Sequence, residues 1–252
     1  DAIFSQLSES YRKIRNTARI ILANLGDSGC DFDPDKDMIP VEELLDIDKW
    51  ALTRLEKLIA QVLKAYSEYD FHIVTHAVVN FCTVDMSKLY IDITKDRVYV
   101  ERKDSRERRS AQTAMYIILS SLTRLIAPVL SFTADEIWRM MPHASSEDKR
   151  SVLLNDMPAF NEGFVFVELE ERYNKLFALR EDIMKALELA RAEKLIGKSL
   201  DAKLTIYAAG DELELLREFS GELATICIVS QVIVSDAPSP QNAFACADHP
   251  VG

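Results

Sequence analysis

Residues 4–25 read FSQLSESYRKIRNTARIILANL. Phe4, Leu7, Tyr11, Ile14, Ala18, Ile21 and Leu25 recur at alternating spacings of three and four, which sets them on one stripe of a long amphipathic helix. Gly26 stands where a left-handed residue would close that helix. Such a stripe must be covered, and the sequence beyond supplies the cover. A second helix is predicted from about Lys49 to Tyr69, with Ala51, Leu55, Leu58, Val62, Leu63 and Tyr66 inward and Asp48 as its N-cap. Asp70 is placed to cap a third, whose apolar side is Phe71, Val74, Val78, Phe81 and Leu89. A fourth is predicted from near Ser105 to about Ile126, where Pro128 must end or kink it. Thr133-Ala134-Asp135-Glu136 reads as a capping box opening a short fifth helix that Pro142 ends. Five helices with shared apolar stripes make a mainly α chain whose first 142 residues form an antiparallel helical bundle.

The character changes after Pro142. Residues 143–167 read as a loop-rich connecting segment, with Val152-Leu153-Leu154 extended. A charged helix follows over about Glu168–Leu195, with Leu169, Tyr173, Leu176, Ile183, Leu187 and Ala190 as its stripe. Leu204–Tyr207 and Val232–Val234 read as strands separated by a helix near Asp211–Phe219. Residues 168–236 are thus expected to form a long helix plus a small α/β unit, and residues 237–252 an extended tail.

The 252 residues are 48% hydrophobic and 28% charged, as in soluble globular proteins, which argues against global disorder. No apolar stretch approaches the ~18 residues of a spanning helix, so no membrane partner is expected. Cys30, Cys82, Cys227 and Cys246 lie far apart without a C-x-x-C pair. That argues against a disulfide framework or a complete zinc site and fits reduced thiols in a cytoplasm. The chain begins at Asp1 with a helical pattern already running by Ile3, as an excised fragment or processed chain would.

Few residues suggest chemistry. Asp31, Asp33, Asp35, Asp37 and Glu42 imitate an EF-hand loop. Lys36 occupies the position that loop gives to glycine, and Pro34 and Pro40 restrict the backbone, so a solvated acidic loop is expected. His72 and His76 are one turn apart but lack a third ligand, so no metal site is assigned. The seven glycines are scattered and build no phosphate loop. No catalytic residue is assigned.

The net charge of −11 hides a local reversal. Lys95, Arg97, Arg102, Lys103, Arg106, Arg108 and Arg109 outnumber Asp96, Glu101, Asp104 and Glu107, so this window carries +3 and the rest of the chain −14. Tyr90 and Tyr99 flank Lys95 and Arg97 at what reads as a helix–loop junction. Cations for phosphates and planar rings for unpaired bases suit a single-stranded RNA loop, whereas a solvated charged face is the plainer reading. Arg12, Arg15 and Arg19 form a second basic grouping on the first helix.

These same residues carry a resemblance. SESYRKIRNTAR (8–19), DKWAL (48–52), AYxxYDFH (65–72), YIDITKDR (90–97), RRSAQTA (108–114) and IAPVLSFTADEIW (126–138) follow in the order found in isoleucyl-tRNA synthetases, class I aminoacyl-tRNA synthetases. The likeness extends over essentially Asp1 to Asp236. The 126–138 run is similar to valyl, leucyl and methionyl relatives too; the stretches at 11–17 and 95–97 point to isoleucine. Ile20 and Met157 depart conservatively from the family's common Phe and Trp.

The resemblance implies the class I anticodon-binding fold and a parent ligase that charges isoleucine tRNA with ATP and Mg2+ and edits valine. It also implies a missing catalytic domain of the same polypeptide, a monomer and a cytoplasmic location. Asp85-Met86-Ser87-Lys88-Leu89 mimics an ATP-binding signature but sits in a predicted helix, so it is taken as a decoy. The Zn2+-binding C-terminal module of bacterial members is expected to be absent or truncated. The implied tRNA contacts are Lys95, Arg97, Tyr99, Arg102 and Lys103. Arg12, Arg15, Arg19, Arg191, Lys194 and Lys198 are weaker tRNA or interdomain candidates. The rival readings are a valyl, leucyl or methionyl relative, or a helical protein-interaction module without RNA binding.

Overall fold

The computed structural model describes residues 2–25, 32–241 and 243–244. It divides into two compact units, Asp1–Val167 and Glu168–Gly252. The expected cap at Gly26, the first EF-hand-like position at Asp31 and Cys30 and Cys246 lie outside the described residues.

In the first unit α1 (Ala2–Leu25) and α3 (Asp46–Ser67) flank α6 (Arg106–Ile126), with the four-residue α2 (Pro34–Asp37) in the loop between α1 and α3. The predicted stripe of α1 is buried only at Ile14, Ala18, Ile21 and Leu25; Phe4 and Leu7 stay exposed. Helix α6 is buried on nearly every side from Ser110 to Ile126, which marks it as the centre of the bundle. Its small residues Ala111, Ala114, Ser120 and Ser121 let neighbours approach closely. Ser105 caps it by accepting the Arg108 N–H at 3.2 Å. Trp50, Leu52, Leu55, Ile59 and Val62 of α3 are fully buried, each contributing roughly 1.5–3 kcal/mol. Tyr66 donates to the Leu125 carbonyl at 2.8 Å and Gln112 to the Asn24 carbonyl at 3.0 Å, tying both flanking helices to α6.

The third predicted helix is a longer rod. α4 (Phe71–Asn80) runs into a π-helix (Phe81–Ile91) and then α5 (Asp92–Val100), with helical backbone at both junctions. The wide turns give the Cys82 carbonyl two hydroxyl donors, Ser87 five residues on (2.7 Å) and Thr17 of α1 (3.2 Å). The helix–loop junction expected at 90–99 is therefore corrected to helix. The β-branched run there is overridden by burial of Ile93 and Val98, and Thr94 returns its hydroxyl to the Tyr90 carbonyl at 2.7 Å. The signature-like run 85–89 lies in the π-helix, with Met86 fully buried.

Four local readings need correction. Asp48 lies inside α3, not at its cap, because the helix begins at Asp46. Asp70 does precede α4, but its side chain makes no cap bond. Helix α7 (Ser131–Met140) starts before Thr133, so the capping box is not formed; Asp135 instead accepts from Ser151 at 2.7 Å. Ser151 also accepts the Leu153 N–H at 3.3 Å, which caps a 3-10 turn over Val152–Leu154 where an extended piece was expected.

Residues 143–167 hang on the bundle. Glu147 accepts from Tyr116 and Ser120, both at 2.7 Å, and Trp138 donates to the Asp148 carbonyl at 3.0 Å. Glu56, buried in α3, accepts the Asn161 N–H at 2.8 Å, and Thr53 donates to the Phe164 carbonyl at 3.0 Å.

The second unit holds α8 (Val167–Ala192), β1 (Lys203–Tyr207), α9 (Gly210–Glu218), α10 (Leu223–Cys227) and β2 (Gln231–Ser235). The strands pair in parallel, Lys203 with Gln231 through Tyr207 with Ser235, so the chain between them must cross over as helix. Tyr173 of α8 anchors that crossover: its ring meets Phe219 at 5.0 Å and its hydroxyl donates to Glu222 at 3.1 Å. Ile228, at φ 55°, closes α10 in the left-handed region. Among the described residues no helix is long and apolar enough to cross a membrane.

Candidate nucleic-acid interface

The basic window from Lys95 to Arg109 occupies the last turns of α5, the turn after it and the first turn of α6. The structure divides its cations into two sets. Arg97 points inward, with its side chain 14% exposed, and donates to Asp48 Oδ1 at 2.7 Å. Asp48 has no exposure and also accepts from Tyr90 (2.6 Å) and from Ser110 (2.5 Å on Oδ2), while Ser110 in turn accepts the Leu45 N–H. Burial, reinforced by the carboxylate beside it, pushes the Tyr90 phenol well above its ordinary pKa, so it is a fixed donor. Arg109 is equally covered and reaches Asp37 at 3.3 Å and Gln112 at 2.9 Å. Arg106 spans the Glu43 carbonyl with two N–H groups at 2.9 and 2.7 Å, and Arg108 holds the Glu101 carbonyl at 3.2 Å. These four arginines build the edge.

The second set faces water. Lys95 is 41% exposed and sits 2.9 Å from Asp92 on its own helix. Tyr99, one turn further, is 65% exposed, and Val100 beside it 78%. Arg102, at 83% exposure, reaches Asp104 at 3.3 Å. Lys103 is exposed in the same turn. The arrangement presents three cations, Lys95, Arg102 and Lys103, around one accessible phenol, on a scaffold that Arg97, Arg106, Arg108 and Arg109 hold. It can take phosphate oxygens and stack an unpaired base. Of the five residues expected to touch RNA, the structure brings Lys95, Tyr99, Arg102 and Lys103 to the surface and turns Arg97 inward. The sequence pattern missed the exposed apolar Val100 and the buried role of Asp48.

Arg12, Arg15 and Arg19 are all exposed on α1. Arg15 and Arg19 line a groove against α7 with Leu22, Glu136, Ile137 and Met140. Arg191, Lys194 and Lys198 lie in the second unit, around the turn that follows α8. Arg191 donates to Ser199 at 2.8 Å, Lys194 takes the left-handed φ of 60°, and the Lys198 N–H is held by Asp201 at 2.8 Å.

The acidic loop has structural duties. Asp33 caps α2 and pairs with Lys36, which lowers its pKa; Asp35 accepts from Ser145, and Asp37 accepts the Asp33 N–H at 2.7 Å. His72 and His76 are both exposed. Among the described residues no group of three or more His, Cys, Asp or Glu side chains is gathered to hold a metal ion.

Residues 48–206 match the family described as the anticodon-binding domain of tRNA ligase. Three similar curated proteins are each named isoleucine–tRNA ligase. The chain is 55% identical over 235 residues to that of Syntrophotalea carbinolica, covering 93% of this chain and 25% of the relative. It is 49% identical over 249 residues to that of Caldanaerobacter subterraneus subsp. tengcongensis, covering 98% and 26%. It is 51% identical over 230 residues to that of Geobacter sulfurreducens, covering 91% and 24%. The chain thus spans about a quarter of the length of the curated relatives it matches.

Proposed function

Because the chain belongs to the family of anticodon-binding domains of tRNA ligases, we propose that its first unit receives the anticodon loop and stem of isoleucine tRNA. The parent enzyme is then an isoleucine–tRNA ligase that joins isoleucine to its tRNA with ATP and Mg2+, both taken by a catalytic part outside these residues. The observation that carries this reading is the division of the basic window. Arg97, Arg106, Arg108 and Arg109 are spent on carboxylates and backbone carbonyls, while Lys95, Tyr99, Arg102 and Lys103 stay accessible on the rigid edge so formed. Lysines and arginine supply the salt-dependent attraction, and Tyr99 supplies a stacking face for a loop base. The chain works as a monomer in the cytoplasm. Arg191, Lys194 and Lys198 would meet the stem from the second unit.

The N-terminal half of α1 supports a second part of the reading, contact with the catalytic part of the same polypeptide. Leu7, Tyr11, Ile14, Val74, Val78, Ile126 and Val129 line an apolar groove on the first unit, and Phe132 nearby is 95% exposed. A patch of this kind is costly to leave in water and marks an interaction surface. The relatives are about four times as long as this chain, so polypeptide is at hand to cover it. Arg15 and Arg19 then rim that contact.

Filter binding of the chain to isoleucine tRNA, beside a tRNA of another specificity, tests the proposal. Preference for the isoleucine tRNA supports it. Equal, salt-insensitive retention of both would favour a helical protein-interaction module, and preference for a valine, leucine or methionine tRNA a relative of that specificity.

A further inference from the structure

The rod formed by α4, the π-helix and α5 buries a row of residues spaced four apart. Val74, Val78, Cys82, Met86, Tyr90, Thr94 and Val98 are all buried. One position earlier runs a second row, Phe81, Asp85, Leu89 and Ile93, also buried, and Arg97 continues it inward to Asp48. An α-helix turns about 100° per residue, so each step of four overshoots a full turn by about 40°. Over the six steps from Val74 to Val98 the overshoot reaches about 240°. With Val74 held in place, a rod of pure α-helix would carry Val98 and Arg97 round to solvent. The wider turns between Phe81 and Ile91 absorb the difference, the equivalent of about two surplus residues, so both rows stay against the bundle.

The phase of α5 follows from this unwinding. With Arg97 inward, Lys95 and Tyr99, two residues to either side, fall on the outer face. Sliding a wide turn by one residue exchanges one backbone hydrogen bond for another and leaves helix on both sides, so side chains decide its place. Two hydroxyls mark that place. Ser87 donates to the Cys82 carbonyl at 2.7 Å across five residues, the spacing of a π turn, and Thr17 of α1 donates to the same carbonyl at 3.2 Å. Thr17 is 1% exposed, and its hydroxyl also lies 3.2 Å from Ser87 Oγ and 3.1 Å from the Lys13 carbonyl on its own helix. Each such bond contributes roughly 0.5–1.5 kcal/mol, enough to fix a turn whose neighbouring positions have the same number of backbone bonds.

We infer that Thr17 and Ser87 are positioning residues of the RNA edge: by pinning the wide turns at Cys82 they set the phase at which α5 presents Lys95 and Tyr99. The inference rests on the RNA-binding reading above. It gives α1 a part in that reading through a buried hydroxyl, apart from its exposed arginines. Without the two hydroxyls the surplus turn slides into α5, and each residue it passes is turned by about 100°.

The test uses the whole chain in a Cys30→Ser, Cys246→Ser background, with nitroxide labels at Gln61→Cys on α3 and Asp96→Cys on α5. Both positions are exposed and neither belongs to the RNA edge, while Cys82 and Cys227 are buried. Double electron–electron resonance reads the distance between the labels without RNA. Thr17→Val and Ser87→Ala are introduced singly and together. The pair should replace the parent's single distance by a broader or two-peaked distribution and weaken binding to isoleucine tRNA about 3- to 10-fold. Saturating tRNA should narrow the distribution again. Thr17→Ser, which keeps the hydroxyl, should match the parent in both readouts. A lower urea midpoint with a superimposable distance distribution would reduce the two hydroxyls to ordinary packing contacts and overturn the inference. A broadened distribution in a chain whose parent binds no tRNA would instead sink the RNA reading and leave the control of phase standing.

Discussion

The Arg97 guanidinium lies 2.7 Å from Oδ1 of Asp48, a carboxylate with no solvent exposure. With Tyr90 and Ser110 on the same carboxylate, this contact joins α3, the rod and α6 at one point. Removing one member of such a buried pair leaves the others uncompensated, at a cost of about 3–5 kcal/mol. Asp48→Ala and Arg97→Ala should both lower the urea midpoint markedly, and any loss of tRNA binding in Arg97→Ala should follow that loss of stability. An Arg97→Ala chain with an unmoved midpoint but abolished binding would mean that Arg97 touches RNA directly.

Tyr99 is the converse case, exposed and with little to lose on folding. Tyr99→Ala should change stability by no more than about 0.5 kcal/mol. It should weaken tRNA binding by about 1–3 kcal/mol if the ring carries one stacked base, and Tyr99→Phe should restore most of it. Loss in the Phe variant equal to that in Ala would replace stacking by a hydroxyl contact.

Glu147 ties the 143–167 segment to α6. Burial works against its ionisation, but hydrogen bonds from His143, Tyr116 and Ser120 outweigh burial and leave its pKa below the ordinary 4.5. A carboxylate whose pKa is depressed by folding stabilises the fold above its unfolded value and loses that contribution as pH falls through the folded one. The first unit should therefore weaken below about pH 4.5, and Glu147→Gln should flatten this acid limb while lowering stability at neutral pH. Parallel stability–pH curves for the two proteins would contradict this role.

Burial also sets the two described thiols. It pushes Cys82 up to about 12 and Cys227 up to about 11. In a Cys30→Ser, Cys246→Ser background, both should resist a thiol reagent at neutral pH in the native state and react fully in urea. Fast native labelling of either would show that its helix opens locally.

Much of this architecture could be read from local pattern. Ser105 and Pro128 bracket α6 because a cap and a helix breaker act within a few residues of themselves. The strands at 203–207 and 231–235 declared themselves by β-branched runs. What local pattern could not carry were roles assigned by distant partners. Asp48 looks like an N-cap until Tyr90, Arg97 and Ser110 converge on it. Arg97 and Lys95 look equivalent in sequence, yet helical phase sends one inward and the other out.

The central claim is that the exposed half of the basic window binds the tRNA loop, and a salt titration of one variant tests it most directly. Lys95→Ala, Arg102→Ala and Lys103→Ala are combined in the whole chain, and binding to isoleucine tRNA is measured from low to moderate salt. The triple variant should keep its urea midpoint, bind more weakly at low salt and show a log–log slope flatter by roughly 2–3. Affinity and slope indistinguishable from those of the unaltered chain would contradict the claim.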